Sequence, residues 1–183
     1  MSEDLATFLQ RHTPLTEGTT IWGETIPLRV TSYLSQELPP TNLITSVRSI
    51  VLRDGDVLVV RGPEDEFYIL PGGRREANET LLQTLQREIL EEVGWTLTNI
   101  TLLGFLHFHH LGPKPPNHPY AYPDFFQLIH AAQADQYIPE AMQEDIYVLD
   151  SSFHPVTNLQ SFQLAASDQH YLQAALQTLS ASD

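Results

Sequence analysis

An α/β fold, a mixed β-sheet held between helices, is what the sequence predicts, and three observations carry it. Apolar runs of strand length recur through the middle of the chain, at Ser46 to Leu52, Val57 to Arg61 and Phe125 to Ala132. Asp54-Gly55, a strong tight-hairpin signal, joins the first two. Two longer segments, one starting at Thr80 and one at Ser167, carry apolar residues at the three-and-four spacing of an amphipathic helix.

Taken in chain order, Leu5 to Gln10 can form a short helix. Thr20 to Leu34 offers Trp22, Ile26, Leu28, Val30 and Tyr33 as apolar positions, enough for one or two strands. The even spacing from Trp22 to Val30 favours a strand with one buried face, and Pro27 inside it argues for a sheet edge, because proline cannot donate to a ladder. Leu38-Pro39-Pro40 breaks the pattern and sets a boundary near residue 45, between an amino-terminal extension (1–45) and a core (46–183). The extension is too small to be a domain alone; it either covers a sheet edge or contacts a second copy in a homodimer. The core opens with the hairpin, and Phe67 to Leu70 is a short strand leading into Pro71-Gly72-Gly73. Thr98 to His110 is a longer strand, Phe125 to Ala132 another, and Ile146 to Leu149 reads as the last. Ser167 then begins a helix with Leu172, Ala175, Leu176 and Leu179 along one stripe. A chain of 183 residues holds one domain with a sizeable core.

The central helix carries the chemistry. Thr80-Leu-Leu-Gln83 is a capping-box pattern; Leu82, Leu85, Ile89 and Val93 mark one buried face, and Gly94 is a natural left-handed stop. At about 100° per residue, Glu88, Glu91 and Glu92 fall in one arc beside that face. On a solvated edge such like charges cost only about 0.2–0.5 kcal/mol per pair. In a partly dry cleft, at about 6 Å and an effective dielectric of ~20, each pair costs roughly 3 kcal/mol, which a cation would relieve. Gly72-Gly73 decides between these readings, since it brings a backbone able to approach a ligand directly before the helix. Three carboxylates and a loop carbonyl make an oxygen-only site that suits Mg²⁺ and tolerates Mn²⁺.

The run Gly73-x5-Glu79-x7-Arg87-Glu88-Ile89-Leu90-Glu91-Glu92-Val93-Gly94-Trp95 resembles the complete Nudix box, with Trp95 where the family more often has an aliphatic residue. The resemblance implies a Nudix-like mixed sheet sandwiched between helices. It also implies metal-dependent hydrolysis of a small nucleoside diphosphate linked to another group, of the ADP-sugar or nucleoside triphosphate type. By the same resemblance Glu88, Glu91, Glu92 and the Gly73 carbonyl ligate the metal, Arg87 joins the catalytic set, and Arg87 with Glu79 buttresses the loop. The general base is either Glu88 or a carboxylate on a later loop, for which Glu140, Glu144 and Asp145 are candidates. The alternative is a Nudix-like ligand-binding or regulatory module without turnover; such proteins tend to lose box glutamates, and none is lost here.

Around this motif, the resemblance puts Arg61, Arg74 and Arg75 at the mouth of the site, as phosphate contacts, with pairing to Glu76 or Glu79 the alternative for Arg75. Tyr68, and His118, Tyr120 and Tyr122 in the proline-rich segment Leu111 to Pro123, either stack on a flat part of the substrate or pack the loop on its own scaffold. His107 and His109 share one strand face and His110 the other; a transition-metal site would need ligands the sequence does not supply, so these imidazoles are expected to line the substrate cleft. With 9 Lys+Arg against 23 Asp+Glu, a net charge of −14 leaves no footprint for a nucleic-acid polymer or an anionic membrane, which points to a small phosphorylated partner. Zero cysteines exclude a thiolate site, and with no signal-peptide pattern in MSEDLATFLQRH the expected location is cytoplasmic.

Overall fold

The structure is a computed structural model and describes residues 4–23, 25–116, 118, 120–143 and 148–180. It begins with helix α1 (Leu5–Gln10) and strands β1 (Thr16–Trp22) and β2 (Ile26–Leu34), followed by β3 (Ile44–Arg53), β4 (Asp56–Arg61), β5 (Phe67–Tyr68) and β6 (Gly72–Arg74). Helix α2 (Leu81–Val93), the long strands β7 (Trp95–His110) and β8 (Asp124–Tyr137), β9 (Asp150–Pro155) and helix α3 (Ala166–Ser180) complete it. Among the described residues nine strands form one sheet in the order β1-β2-β7-β8-β3-β4-β5, with β6 on β3 and β9 on β4. The β3–β8 pair is parallel and the other pairs are antiparallel, so the sheet is mixed.

Each sheet face buries against helices. On one, Val47, Val51, Phe105, Phe126 and Leu128 meet Phe8 of α1 and Leu85, Ile89 and Val93 of α2. On the other, Ile50, Leu103 and Ile129 meet Tyr171, Leu172, Ala175 and Leu179 of α3. The fully buried Tyr171 hydroxyl donates to the Phe105 carbonyl (2.8 Å) and accepts from the Tyr33 N–H (3.3 Å), which fixes α3 across β2 and β7. Helix α2 starts where its sequence dictates: Gln83 N–H donates to Thr80 Oγ1 (3.2 Å) and Thr80 N–H to Gln83 Oε1 (2.9 Å). It stops at Gly94, whose φ of +75° is left-handed.

Four expectations need correction. Leu82 is 51% exposed; the buried stripe of α2 is Leu85, Ile89 and Val93, joined by Leu81, a strict four-residue repeat that Leu82 misses by one position. Trp22 to Val30 is not one strand: the chain reverses after Trp22, and Trp22 pairs with Ile26, Thr20 with Leu28 and Gly18 with Val30. The even apolar spacing survives because cross-strand partners share a face. The sheet edge is β1, while β2 lies between β1 and β7; Pro27 is tolerated because it precedes the first β2–β7 pair, Leu28 with His110. The last strand is Asp150–Pro155, whose polar sequence conceals it and which is held by pairing along β4. Ile146 and Tyr147, part of the strand expected at Ile146 to Leu149, lie outside the described residues.

His130, on β8, is buried, with Nδ1 3.4 Å from the Arg48 carbonyl oxygen. Burial pushes its pKa down from 6.5 to about 4. The unfolded chain therefore takes up a proton before the folded one does. This contribution to stability is whole above pH 6.5 and is lost as pH falls through about 4. Its size is about 3 kcal/mol. His130→Gln should flatten the decline of unfolding free energy over that window in urea titrations, whereas an unchanged slope would assign the decline to other groups.

Candidate active site

The site is built where the glycine loop meets α2. Gly72 lies opposite Arg48 on β3 at φ +129°, and a Cβ there would collide with the Val47 carbonyl oxygen, so the position admits only glycine. A Cβ on Gly73 would strike Glu88 Oε2; the bare backbone makes room for that carboxylate. Glu92 ties helix to loop, accepting from Gly72 N–H (2.6 Å) and from the Tyr68 hydroxyl (2.9 Å).

Arg87 organises the other carboxylates. Its Nε and Nη2 donate to the two oxygens of Glu79 (2.6 and 3.0 Å), a bidentate pair. Nη1 donates to Glu88 Oε1 (2.9 Å) and Glu91 Oε2 (3.1 Å), and Nη2 also reaches the Arg74 carbonyl oxygen (3.2 Å). The Arg87 hydrogen bond, helped by the Thr84 hydroxyl, outweighs desolvation and holds the Glu79 carboxyl at about 2. The surrounding carboxylates push the Arg87 guanidinium above its ordinary range. Burial pushes the Glu88 carboxyl up, and Arg87 only partly offsets this. Gln143, beyond β8, donates to Glu91 Oε1 (2.8 Å).

The donor chemistry fits a hard cation: Glu88, Glu91, Glu92 and the Gly73 carbonyl offer oxygen alone, and the loop at Gly73 is shaped around a carboxylate. Among the described residues no three acidic or histidine side chains converge as metal ligands. Glu88 and Glu91 share Arg87 instead, and Glu92 faces Tyr68 and Gly72.

A cleft of about 790 Å³ opens beside these residues, with Gly72, Gly73, Glu88 and Glu92 in its lining. Tyr68, Arg74 and Tyr120 also line it. The Arg74 guanidinium is sandwiched between rings, 4.6 Å from the centroid of Tyr120 and 5.4 Å from that of Trp22, and it donates to the Tyr120 hydroxyl. Trp22 leans on Phe125 (6.0 Å), which stacks on Phe108 (4.8 Å), and these three form an aromatic wall of the cleft. Sequence reading missed this wall and Arg48; alternation along the strands identifies buried positions but not which of them border a cavity.

Other expected site residues stand elsewhere. Arg61 is ion-paired with Asp150 and Asp65 and is not in the cleft lining. Arg75 donates to the Glu79 carbonyl (2.9 Å). The Tyr122 hydroxyl donates to the Gly112 carbonyl (3.0 Å), outside the cleft. Glu140 is exposed and away from the cleft, and Glu144 and Asp145 lie outside the described residues. His107 and His109 do not line the cleft, contrary to expectation: Leu106 and Phe108 hold the cleft side of β7, and the two imidazoles donate to one oxygen of Asp124 (2.8 Å each). Burial pushes the Asp124 carboxyl up, but these two hydrogen bonds outweigh it and leave the group below its ordinary value. His118 packs edge-on against His110 (5.0 Å) and Tyr120 (5.5 Å).

The NUDIX domain model matches residues 43–175. The chain belongs to the Nudix family. A Bacillus subtilis (strain 168) protein provisionally assigned as an ADP-ribose pyrophosphatase is 37% identical over 75 residues, 40% of this chain. The chain spans only 36% of the length of that curated relative. Among solved structures, the NUDIX hydrolase of Nitrosomonas europaea superposes with a TM-score of 0.54 at 18% identity, covering 76% of this chain and 90% of that one. The Bacillus subtilis pyrophosphohydrolase does so at 0.56 and 17% identity, covering 90% and 97%. At these identities the likeness is one of fold, the Nudix sheet between helices.

Within the Nudix box, the Glu79–Arg87 pair yields a testable consequence. Arg87→Ala should lower the melting temperature at neutral pH. Because the Glu79 carboxyl is held at about 2 rather than 4.5, the stabilisation from pairing is present above pH 4.5 and lost as pH falls through about 2. The gap between wild type and variant should therefore close over that range in acid melts; a constant gap would mean that the pair is not what the variant removes.

Proposed function

We propose that this Nudix protein is a metal-dependent pyrophosphohydrolase of a small nucleoside diphosphate linked to another group, with an ADP-sugar the favoured class. The observation that carries the reading is the intact carboxylate set of the box, two members of which, Glu88 and Glu92, border a cleft together with the glycine loop and two arginines. The partial match to the Bacillus subtilis relative supports the ADP-sugar class. On this reading Glu88, Glu91, Glu92 and the Gly73 carbonyl would hold Mg²⁺, with Mn²⁺ as a substitute. When bound, the ion neutralises diphosphate oxygens and lowers the pKa of water.

The chain's own groups do the rest. Arg74, kept in place by Tyr120 and Trp22, faces the phosphates. The aromatic wall receives the flat part of the substrate and excludes water from it. Glu88, which borders the cleft beside the glycine loop, is the base favoured here over the exposed Glu140, which does not. It takes a proton from water, whose oxygen attacks phosphorus in line as the bond to the leaving phosphate oxygen breaks. A substrate panel with Mg²⁺, Mn²⁺ or chelator, read as phosphate-containing products, tests the reading. Binding without product in every combination would favour a ligand-binding module.

Glu92→Gln should lower kcat by at least about tenfold while leaving the melting temperature nearly unchanged, since the amide keeps one oxygen for Gly72 or Tyr68 but loses the charge. Full activity at saturating Mg²⁺ would remove Glu92 from the metal-binding set. Tyr120→Ala should raise KM about three- to tenfold by releasing Arg74. Tyr122→Ala, which loses contacts outside the cleft, should leave KM unchanged, and equal effects in steady-state kinetics would contradict this division.

A further inference from the structure

Arg48 has no place in the Nudix box, yet it lines the same cleft as Gly72, Gly73, Glu88 and Glu92. It stands on β3 directly opposite Gly72, half-buried, and its Nη1 donates to the Leu70 carbonyl (2.9 Å) at the entry to the glycine loop. Arg61 and Arg87 are tied to carboxylates, but Arg48 makes no ion pair among the described residues. Glu88 and Asp168 feel its charge without contacting it. A structural anchor for one carbonyl needs one donor. A guanidinium offers a rigid fork of five N–H groups, and leaving such a charge half-buried with no carboxylate in direct contact is costly. The lining also includes Glu66, Glu88 and Glu92, with Arg48 and Arg74 as its cations. An anionic substrate entering there has two positive groups to meet, and Arg74 is already engaged by two rings at the rim.

We propose that Arg48 is a substrate-phosphate-binding residue, held by the Leu70 carbonyl so that the rest of its fork receives a phosphate beside the glycine loop. It thereby positions the diphosphate against the carboxylates of α2. The proposal rests on the diphosphate reading above, and its test does not need turnover. Inorganic pyrophosphate is titrated calorimetrically into wild type, R48Q and R48K in the presence of Mg²⁺, with melting temperatures recorded for each. R48Q should bind pyrophosphate at least about tenfold more weakly, as expected for loss of a charge-assisted hydrogen bond. R48K should fall between, because lysine keeps the charge but lacks the fork. Where wild type also hydrolyses a diphosphate substrate, R48Q should raise KM more than it lowers kcat. Wild-type pyrophosphate affinity in R48Q, whatever its melting temperature, overturns the proposal. If R48Q does not fold, R48K decides, and wild-type affinity there overturns it equally. An absence of turnover in wild type counts against the hydrolase reading alone.

Discussion

The bidentate pair between Arg87 and Glu79 is the constraint on which the rest of the site depends. The guanidinium reaches back from the second turn of α2 to the loop before it, and its remaining donors engage Glu88, Glu91 and the Arg74 carbonyl. One side chain thus fixes the shape of the glycine loop and balances the charge of two further carboxylates. Three acidic groups on one helix edge would otherwise repel one another in a cleft poorer in water than the open surface. Glu92, bound to Gly72 and Tyr68, closes the loop from its other end.

Charge is distributed economically in so acidic a chain. Most arginines are engaged: Arg61 with Asp150, Arg87 with the box, and Arg53 over the rings of Trp95 and Phe153. The two that line the cleft are held by neutral groups, Arg74 by aromatic faces and Arg48 by a carbonyl. A guanidinium positioned without a contacting carboxylate keeps N–H donors for an incoming anion.

The two faces of β7 divide the labour. Leu106 and Phe108 turn towards the cleft, while His107 and His109 turn away and share Asp124 at the start of β8. Both imidazoles donate to a carboxylate held ionised, which satisfies three polar groups at once and locks the ends of two long strands together. A cluster that has the composition of a metal or catalytic site is in this fold a strand clasp.

The Nudix box, its capping residues and the helix between them are local and legible in the sequence: Thr80 and Gln83 start α2, Gly94 ends it, and Leu85, Ile89 and Val93 mark its buried face, although Leu82 does not join them. The Asp54-Gly55 hairpin and most strands follow equally from short-range patterning, because turn geometry and alternation act within a few residues. Tertiary structure decided what lies around the box. Trp22 comes to the cleft from a hairpin whose place depends on β2 pairing with β7, across more than seventy residues of chain. Arg48 reaches the glycine loop only because β6 folds back on β3, and β9 is a strand only because β4 offers its edge. Arg61, near the box in sequence, is drawn off by Asp150, whereas Tyr120, far from it, is brought to Arg74. Spacing along the chain encodes local backbone conformation, but which side chains share a cavity is set by non-local strand pairing, which no local pattern records.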